Sequence, residues 1–253
     1  MKFIRYQWKD QPASYGWVFN KMVGEVEGDI FGEFRRHEAH LQINQVKLLP
    51  PVTPSKIICV GRNYVAHALE HGAEIPEIPI LFLKPLSSLI GHQDAIKLPL
   101  QSSQVEHEGE LAVVMGKRGH GITTEKASEY ILGYTIANDV TARDLQRLDG
   151  QWTRGKGFDT FCPIGPWIET NFDPADAMLT CRVNNEIRQM VSTREMIFSI
   201  NQLIAFVSSI MTLEPGDIIL TGTPAGVGPL HTGDIVEVEI EGIGVLTNPV
   251  VSE

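Results

Sequence analysis

Glu106-His107-Glu108-Gly109-Glu110-Leu111-Ala112-Val113-Val114-Met115-Gly116 is an apolar run carrying carboxylates at alternate positions. In a strand, residues two apart share a face, so Glu108 and Glu110 point the same way. Carboxylates held side by side repel, and a fold keeps them beside a core only when a proton or a cation neutralises them. A divalent metal is the natural cation. The same Glu-x-Glu pattern also suits a solvated strand face, and the pair alone leaves both readings open.

A hard-cation site needs a third carboxylate. Asp139 is the best candidate because it directly follows the apolar run Tyr134-Thr135-Ile136-Ala137, and strand ends are where sheets present side chains to a cleft. Three carboxylate oxygens completed by water suit Mg²⁺ or Mn²⁺, whereas zinc sites recruit His or Cys.

Further strands are expected at 56–60, 80–83, 104–115, 134–137, 217–221 and 234–246, the last broken at Gly242. One long helix is expected: Ser192-Thr193-Arg194-Glu195 has the form of a capping box, and Met196, Ile200, Ile204, Val207 and Met211 follow at helical spacing up to Pro215-Gly216. Many strands and few helices predict an α+β, β-dominated roll rather than a doubly wound α/β sheet. Residues 1–49 hold short β-like runs and turn signals, and Pro50-Pro51-Val52-Thr53-Pro54 marks a boundary. The expected organisation is a small β-rich N-terminal unit, 1–49, and a catalytic unit, 50–253.

The chain of 253 residues carries a formal charge of −10, which argues against nucleic acid or an anionic membrane as partner. No apolar run of about eighteen residues spans a membrane, and the first residues lack the apolar core of a secretory signal. Three widely spaced cysteines, Cys59, Cys162 and Cys181, fit a reducing cytoplasm, each as a small buried hydrophobe.

His67 and Glu70 lie in a segment, 61–72, that reads as a short helix capped by Asn63 and ended by Gly72. At i and i+3 they share a face, so the carboxylate can orient the imidazole as a general base for water; a surface ion pair has the same spacing. His71 beside them reads as solvated. Gly150-Gln151-Trp152-Thr153-Arg154-Gly155-Lys156-Gly157 imitates a phosphate-binding loop, but Gly157 replaces the required Ser or Thr. The preceding segment, 143–149, is too polar for the buried strand such a loop follows. A nucleotide triphosphatase is therefore rejected. Lys156 stays of interest as a cation in a glycine-rich loop, able to meet a carboxylate or an enolate.

Several long motifs in order resemble the fumarylacetoacetate hydrolase family, in its acylpyruvase and hydroxymuconate-isomerase-like branch. They are Gly61-Arg62-Asn63-Tyr64 leading into His67 and Glu70, the Glu-x-Glu-Leu strand, 138–146, 156–163, and Thr221-Gly222-Thr223-Pro224-Ala225-Gly226-Val227-Gly228. The resemblance runs from about residue 57 to 250. It implies a mixed β-sandwich roll, a homodimer, and a helix carrying the His/Glu pair that orders over the ligand. It implies that Glu108, Glu110 and Asp139 bind Mg²⁺ or Mn²⁺ and that His67 with Glu70 activates water. Gln146 and Lys156 would face the substrate, with Arg143 and Thr223 as secondary contacts. Gly157 stands where many relatives carry a side chain.

Substrates implied by the resemblance are small 1,3-dioxo acids and related keto acids, whose carboxylate and carbonyl oxygens chelate one metal. The favoured reaction is hydrolytic C–C cleavage of an acylpyruvate or fumarylpyruvate, because both His67 and Glu70 are present. Isomerisation of a hydroxymuconate-type or hydroxyheptadienedioate-type dioate, as in aromatic compound degradation, is the alternative, followed by oxaloacetate decarboxylation or tautomerisation. The non-enzymatic alternative is a metal-binding scaffold, whose signature would be loss of a ligand or of the His/Glu pair.

Overall fold

The computed structural model describes residues 1–70 and 72–253, so His71 lies outside the described residues. A twelve-stranded sheet organises the molecule. Its path runs from the edge strand Phe34–Gln42 through Met22–Gly28, Ser14–Phe19, Lys2–Gln7, Cys162–Glu169, Ile131–Asn138, Gly109–Met115, Ile218–Leu220 and Ile57–Gly61 to Ile80–Lys84. Neighbours along the path are antiparallel except Ile218–Leu220 and Ile57–Gly61, which run parallel. The N-terminal strands prolong this sheet, since Lys2 pairs with Glu169 and Phe3 with Ile168. The segment 50–54 leads into Ser55 and Lys56, whose backbone N–H groups and the Ser55 hydroxyl all donate to Asp217 Oδ1.

The central strand Gly109–Met115 is buried along its whole length. Leu111, Val113 and Met115 join one core together with residues of a five-stranded sheet and a helix. That second sheet contains Glu186–Ser192, Met178–Val183, Ile235–Ile240, Gly244–Ser252 and Ile96–Leu98. Ala112 and Val114 point to the other face, into a core with Ile57, Cys59, Ile218 and Leu220. A strand covered on both faces reads as a continuous apolar run, and each fully buried large side chain contributes about 1.5–3 kcal/mol. The β-dominated sandwich roll anticipated from the sequence is the fold observed.

The helices are short: α1 Val65–Glu70, α2 Arg143–Asp149, α3 Thr153–Lys156 and α4 Ile200–Ile210. The long helix starts later than its sequence pattern suggests. Ser192 caps only a single 3₁₀ turn, Thr193–Glu195, because Met196 pairs with Tyr64 as an isolated β-bridge and the backbone N–H groups of Ile197 and Phe198 donate to Asn63. The capping box that opens α4 is Ser199 with Gln202, so Met196 precedes the helix and Met211 closes it. Among the described residues no helix is long and apolar enough to cross a membrane.

Candidate active site

The expected strand 104–115 is broken at Glu108 into Val105–His107 and Gly109–Met115. Side chains capture the backbone donors there: Glu108 N–H donates to Asn138 Oδ1 at 2.9 Å, and Gly109 N–H to Gln189 Oε1 at 2.9 Å. A Cβ on residue 109 would lie 3.0 Å from Val238 Cγ1, tight enough to favour glycine in this kink. Asp139 N–H in turn donates to Glu108 O at 2.8 Å, placing the end of strand Ile131–Asn138 against the break. One carboxylate oxygen from each of Glu108, Glu110 and Asp139 then lies within 4.8 Å of the others, and all three residues are buried.

Buried carboxylates at this spacing need counter-charge, and the fold supplies three cations. Lys156 Nζ donates to Glu108 Oε2 and Asp139 Oδ2, both at 2.6 Å. Lys84 Nζ donates to Asp139 Oδ1 at 2.6 Å and to Val140 O at 3.2 Å. Arg143 donates from Nε to Glu106 Oε2 at 2.7 Å, from Nη1 to Gln146 Oε1 at 2.6 Å, and from Nη2 to Glu108 Oε1. Four carboxylates, counting Glu106, thus face three cations, a surplus of one negative charge when all are ionised.

That surplus falls on Glu110. Burial, then the Asp139 and Glu108 charges, push its carboxyl well above the usual range, although Gly222 N–H donates to Oε2 at 2.6 Å. Burial also opposes ionisation of Glu108, but Lys156 and then Arg143 more than offset it and hold that carboxyl far below its ordinary value. An all-oxygen donor set with excess negative charge fits a hard divalent cation, and Glu108, Glu110 and Asp139 are the residues that could hold one.

α1 brings in the imidazole. His67 is buried and its Nδ1 lies 3.4 Å from Glu70 Oε2, while Glu70 accepts a hydrogen bond from Gly226 N–H at 3.0 Å. Burial lowers the His67 pKa, with Glu108 and Glu70 working in the other direction, so the ring is neutral near pH 7. Asn63 does not cap this helix as its position suggests. Its amide donates to Thr221 O at 2.8 Å and Phe198 O at 3.1 Å, and its Oδ1 accepts from Phe198 N–H, so it clamps the loop before α1 to two other segments.

These groups line a cavity of about 320 Å³, which takes in every residue selected from the sequence except Glu70, placed behind His67. Gln146 is half-buried beside Arg143. The Thr223 hydroxyl donates to Gly109 O at 2.9 Å and accepts from Gln189 Nε2 at 2.8 Å, so its hydrogen is committed to the protein. Gly157 has a steric reason: a Cβ there would lie 2.5 Å from Thr153 O. The polar segment before the pseudo phosphate loop is the helix α2, in keeping with its rejection as a nucleotide site.

Sequence reading missed Lys84, Gln189, Arg62 and the aromatic wall. Lys84 ends the strand Ile80–Lys84, and the period-two rule puts it on the face of Phe82, which lines the cavity with Trp152 at 5.2 Å between ring centroids. A lysine closing an apolar strand was the available signal. Gln189 offered none, because its partners lie about eighty residues before it and over thirty after it.

A family model described as fumarylacetoacetate (FAA) hydrolase C-terminal matches residues 56–251, and one described as Rv2993c-like, N-terminal matches residues 1–51. Oxaloacetate tautomerase Fahd2a, mitochondrial, from Rattus norvegicus is 48% identical over 220 residues, covering 82% of this chain and 70% of its own. The crystal structure of 2-hydroxyhepta-2,4-diene-1,7-dioate isomerase from Mycobacterium marinum superposes with a TM-score of 0.93 at 43% identity, covering 100% of this chain and 99% of that one. Maleylpyruvate hydrolase from Sphingobium sp. SYK-6, in complex with manganese(II) and pyruvate, gives a TM-score of 0.83 at 31% identity with 100% and 99% coverage.

Proposed function

The chain belongs to the fumarylacetoacetate hydrolase family, and from that premise we propose that it is a Mg²⁺- or Mn²⁺-dependent hydrolase cleaving a C–C bond in small acylpyruvate-like 1,3-dioxo acids. The observation that carries this reading is the buried, neutral His67, oriented by Glu70 and facing the same cavity as three carboxylates and Lys156. A divalent cation held by Glu108, Glu110 and Asp139 would supply Lewis acidity to the substrate's carboxylate and carbonyl oxygens. The manganese and pyruvate recorded with maleylpyruvate hydrolase support that assignment.

The chain's own groups account for the remaining steps. Lys156 places its ammonium where negative charge develops on the substrate oxygen, and Arg143 with Gln146 orients the acid. His67, its Nδ1 turned to Glu70, accepts a proton from water at Nε2 while the water oxygen attacks the distal carbonyl carbon. The C–C bond then breaks, its electron pair leaves with the pyruvate fragment, and the imidazolium returns the proton. The products are pyruvate and a carboxylic acid.

A second reading, keto–enol tautomerisation of oxaloacetate, is favoured by the 48% identity to the rat tautomerase against 31% to the hydrolase. There His67 moves one proton and no C–C bond breaks. Protein stripped with chelator and resupplied with Mn²⁺, assayed by NMR on acetylpyruvate, fumarylpyruvate, oxaloacetate and a hydroxymuconate-type dioate, separates the two. Pyruvate together with the matching acid supports hydrolysis. Faster keto–enol exchange of oxaloacetate alone supports the second reading, a shifted double bond in the dioate refutes both in favour of an isomerase, and no metal-dependent turnover on any of them refutes both in favour of a scaffold.

A further inference from the structure

Arg62 has an unusual backbone and an unspent charge. Its φ is 57°, a left-handed conformation uncommon outside glycine, asparagine and aspartate. The strain is held from both sides. Asn63 is tied to Phe198 and Thr221, while the Trp152 ring packs so closely on Gly61 that a Cβ there would lie 2.5 Å from it. Such strain persists where surrounding structure enforces it, and it collects at ligand-binding positions. The enforced turn sets the half-buried Arg62 guanidinium 5.8 Å from the Trp152 ring centroid, on the cavity wall.

In a chain of net charge −10, Arg143 and Lys156 each have buried carboxylate partners. Arg62 and Arg147, which line the same cavity, form no ion pair among the described residues. Arg147 follows Arg143 by one turn of α2, so both project from one helix face. The cavity therefore holds two sets of cations: one neutralised by the acidic cluster, the other without a carboxylate partner among the described residues.

We propose that Arg62, assisted by Arg147, binds a second carboxylate at the end of the substrate remote from the acidic cluster, so that the enzyme selects 2-oxo dicarboxylates over 2-oxo monocarboxylates. The inference rests on the reading of the cavity as a metal-dependent 2-oxo acid site. A planar guanidinium held over an aromatic ring offers its fork for bidentate recognition of a carboxylate. A cavity of about 320 Å³ suits a short-chain diacid.

The test is calorimetric titration of Mn²⁺-loaded protein with 2-oxoglutarate and with 2-oxopentanoate, which differ only in having a carboxylate or a methyl at the far end. Wild-type protein should bind the diacid about ten- to hundredfold more tightly, the range expected for a charge-assisted contact. Arg62→Gln should abolish that preference, Arg62→Lys should retain part of it, and affinity for 2-oxopentanoate should be unchanged in both. Equal affinities for the two acids in wild-type protein, or equal weakening of both by Arg62→Gln, overturns the assignment of Arg62 while leaving the 2-oxo acid site standing. If neither acid binds with Mn²⁺ present, the site reading fails and the inference falls with it.

Discussion

Replacing Lys84 with methionine removes a buried charge while keeping nearly the same stem volume. The Lys84 side chain is fully buried and its partner Asp139 is 1% exposed, with 2.6 Å between Nζ and Oδ1. Unit charges about 4 Å apart interact by about 4 kcal/mol at an effective dielectric of about 20. Removing one partner of a buried pair costs about 3–5 kcal/mol, since the remaining charge stays desolvated. Lys156 still reaches Asp139, so Lys84→Met is expected to cost about 3 kcal/mol in metal-free protein, the lower end of that range. The assay is urea denaturation in chelator for wild type, Lys84→Met, Asp139→Asn and the double variant. Since the double variant removes the stranded charge, the cycle should show a coupling of about 2–3 kcal/mol. A single-variant loss below about 1 kcal/mol, the value of an exposed pair, or strict additivity across the cycle would refute the role given to Lys84.

Asp139→Ala should eliminate Mn²⁺ binding while the far-ultraviolet spectrum stays native, and an unchanged calorimetric affinity would remove Asp139 from the ligand set. Because burial lowers the His67 pKa and the neutral ring is the base, activity should fall with acidification only through a midpoint below 6.5. A midpoint above 6.5, or an acid limb that survives His67→Gln, contradicts that role. Burial pushes the thiols of Cys162 and Cys181 up to about 12 and raises that of Cys59 as well. All three should resist a thiol reagent at pH 8 until the protein unfolds, and labelling of native protein would show one of them to be accessible.

The acidic cluster was legible because its determinants are local. Glu108 and Glu110 are two residues apart on an apolar strand, and Asp139 follows another apolar strand, so side-chain alternation and strand ends mark them as candidates, while the family motifs choose the metal reading over a solvated face. The kink at Glu108 was hidden, since it is made by Asn138 and Gln189 taking backbone donors that a regular ladder would use. The start of α4 was misplaced for a related reason. Two serine caps compete, and the tie of Met196, Ile197 and Phe198 to Tyr64 and Asn63 keeps that backbone extended, which leaves the helix to start at Ser199.

By itself the sequence determined the β-dominated class, the family motifs and the carboxylates, all of which depend on spacing along the chain. Only the tertiary structure decided which cations meet them. Lys84 reaches Asp139 across 55 residues, and Arg143 reaches Glu108 across 35. It also decided that, among the described residues, Arg62 has no carboxylate partner. Charge pairing is a matter of distances in space, and strand order, which no local periodicity encodes, sets those distances.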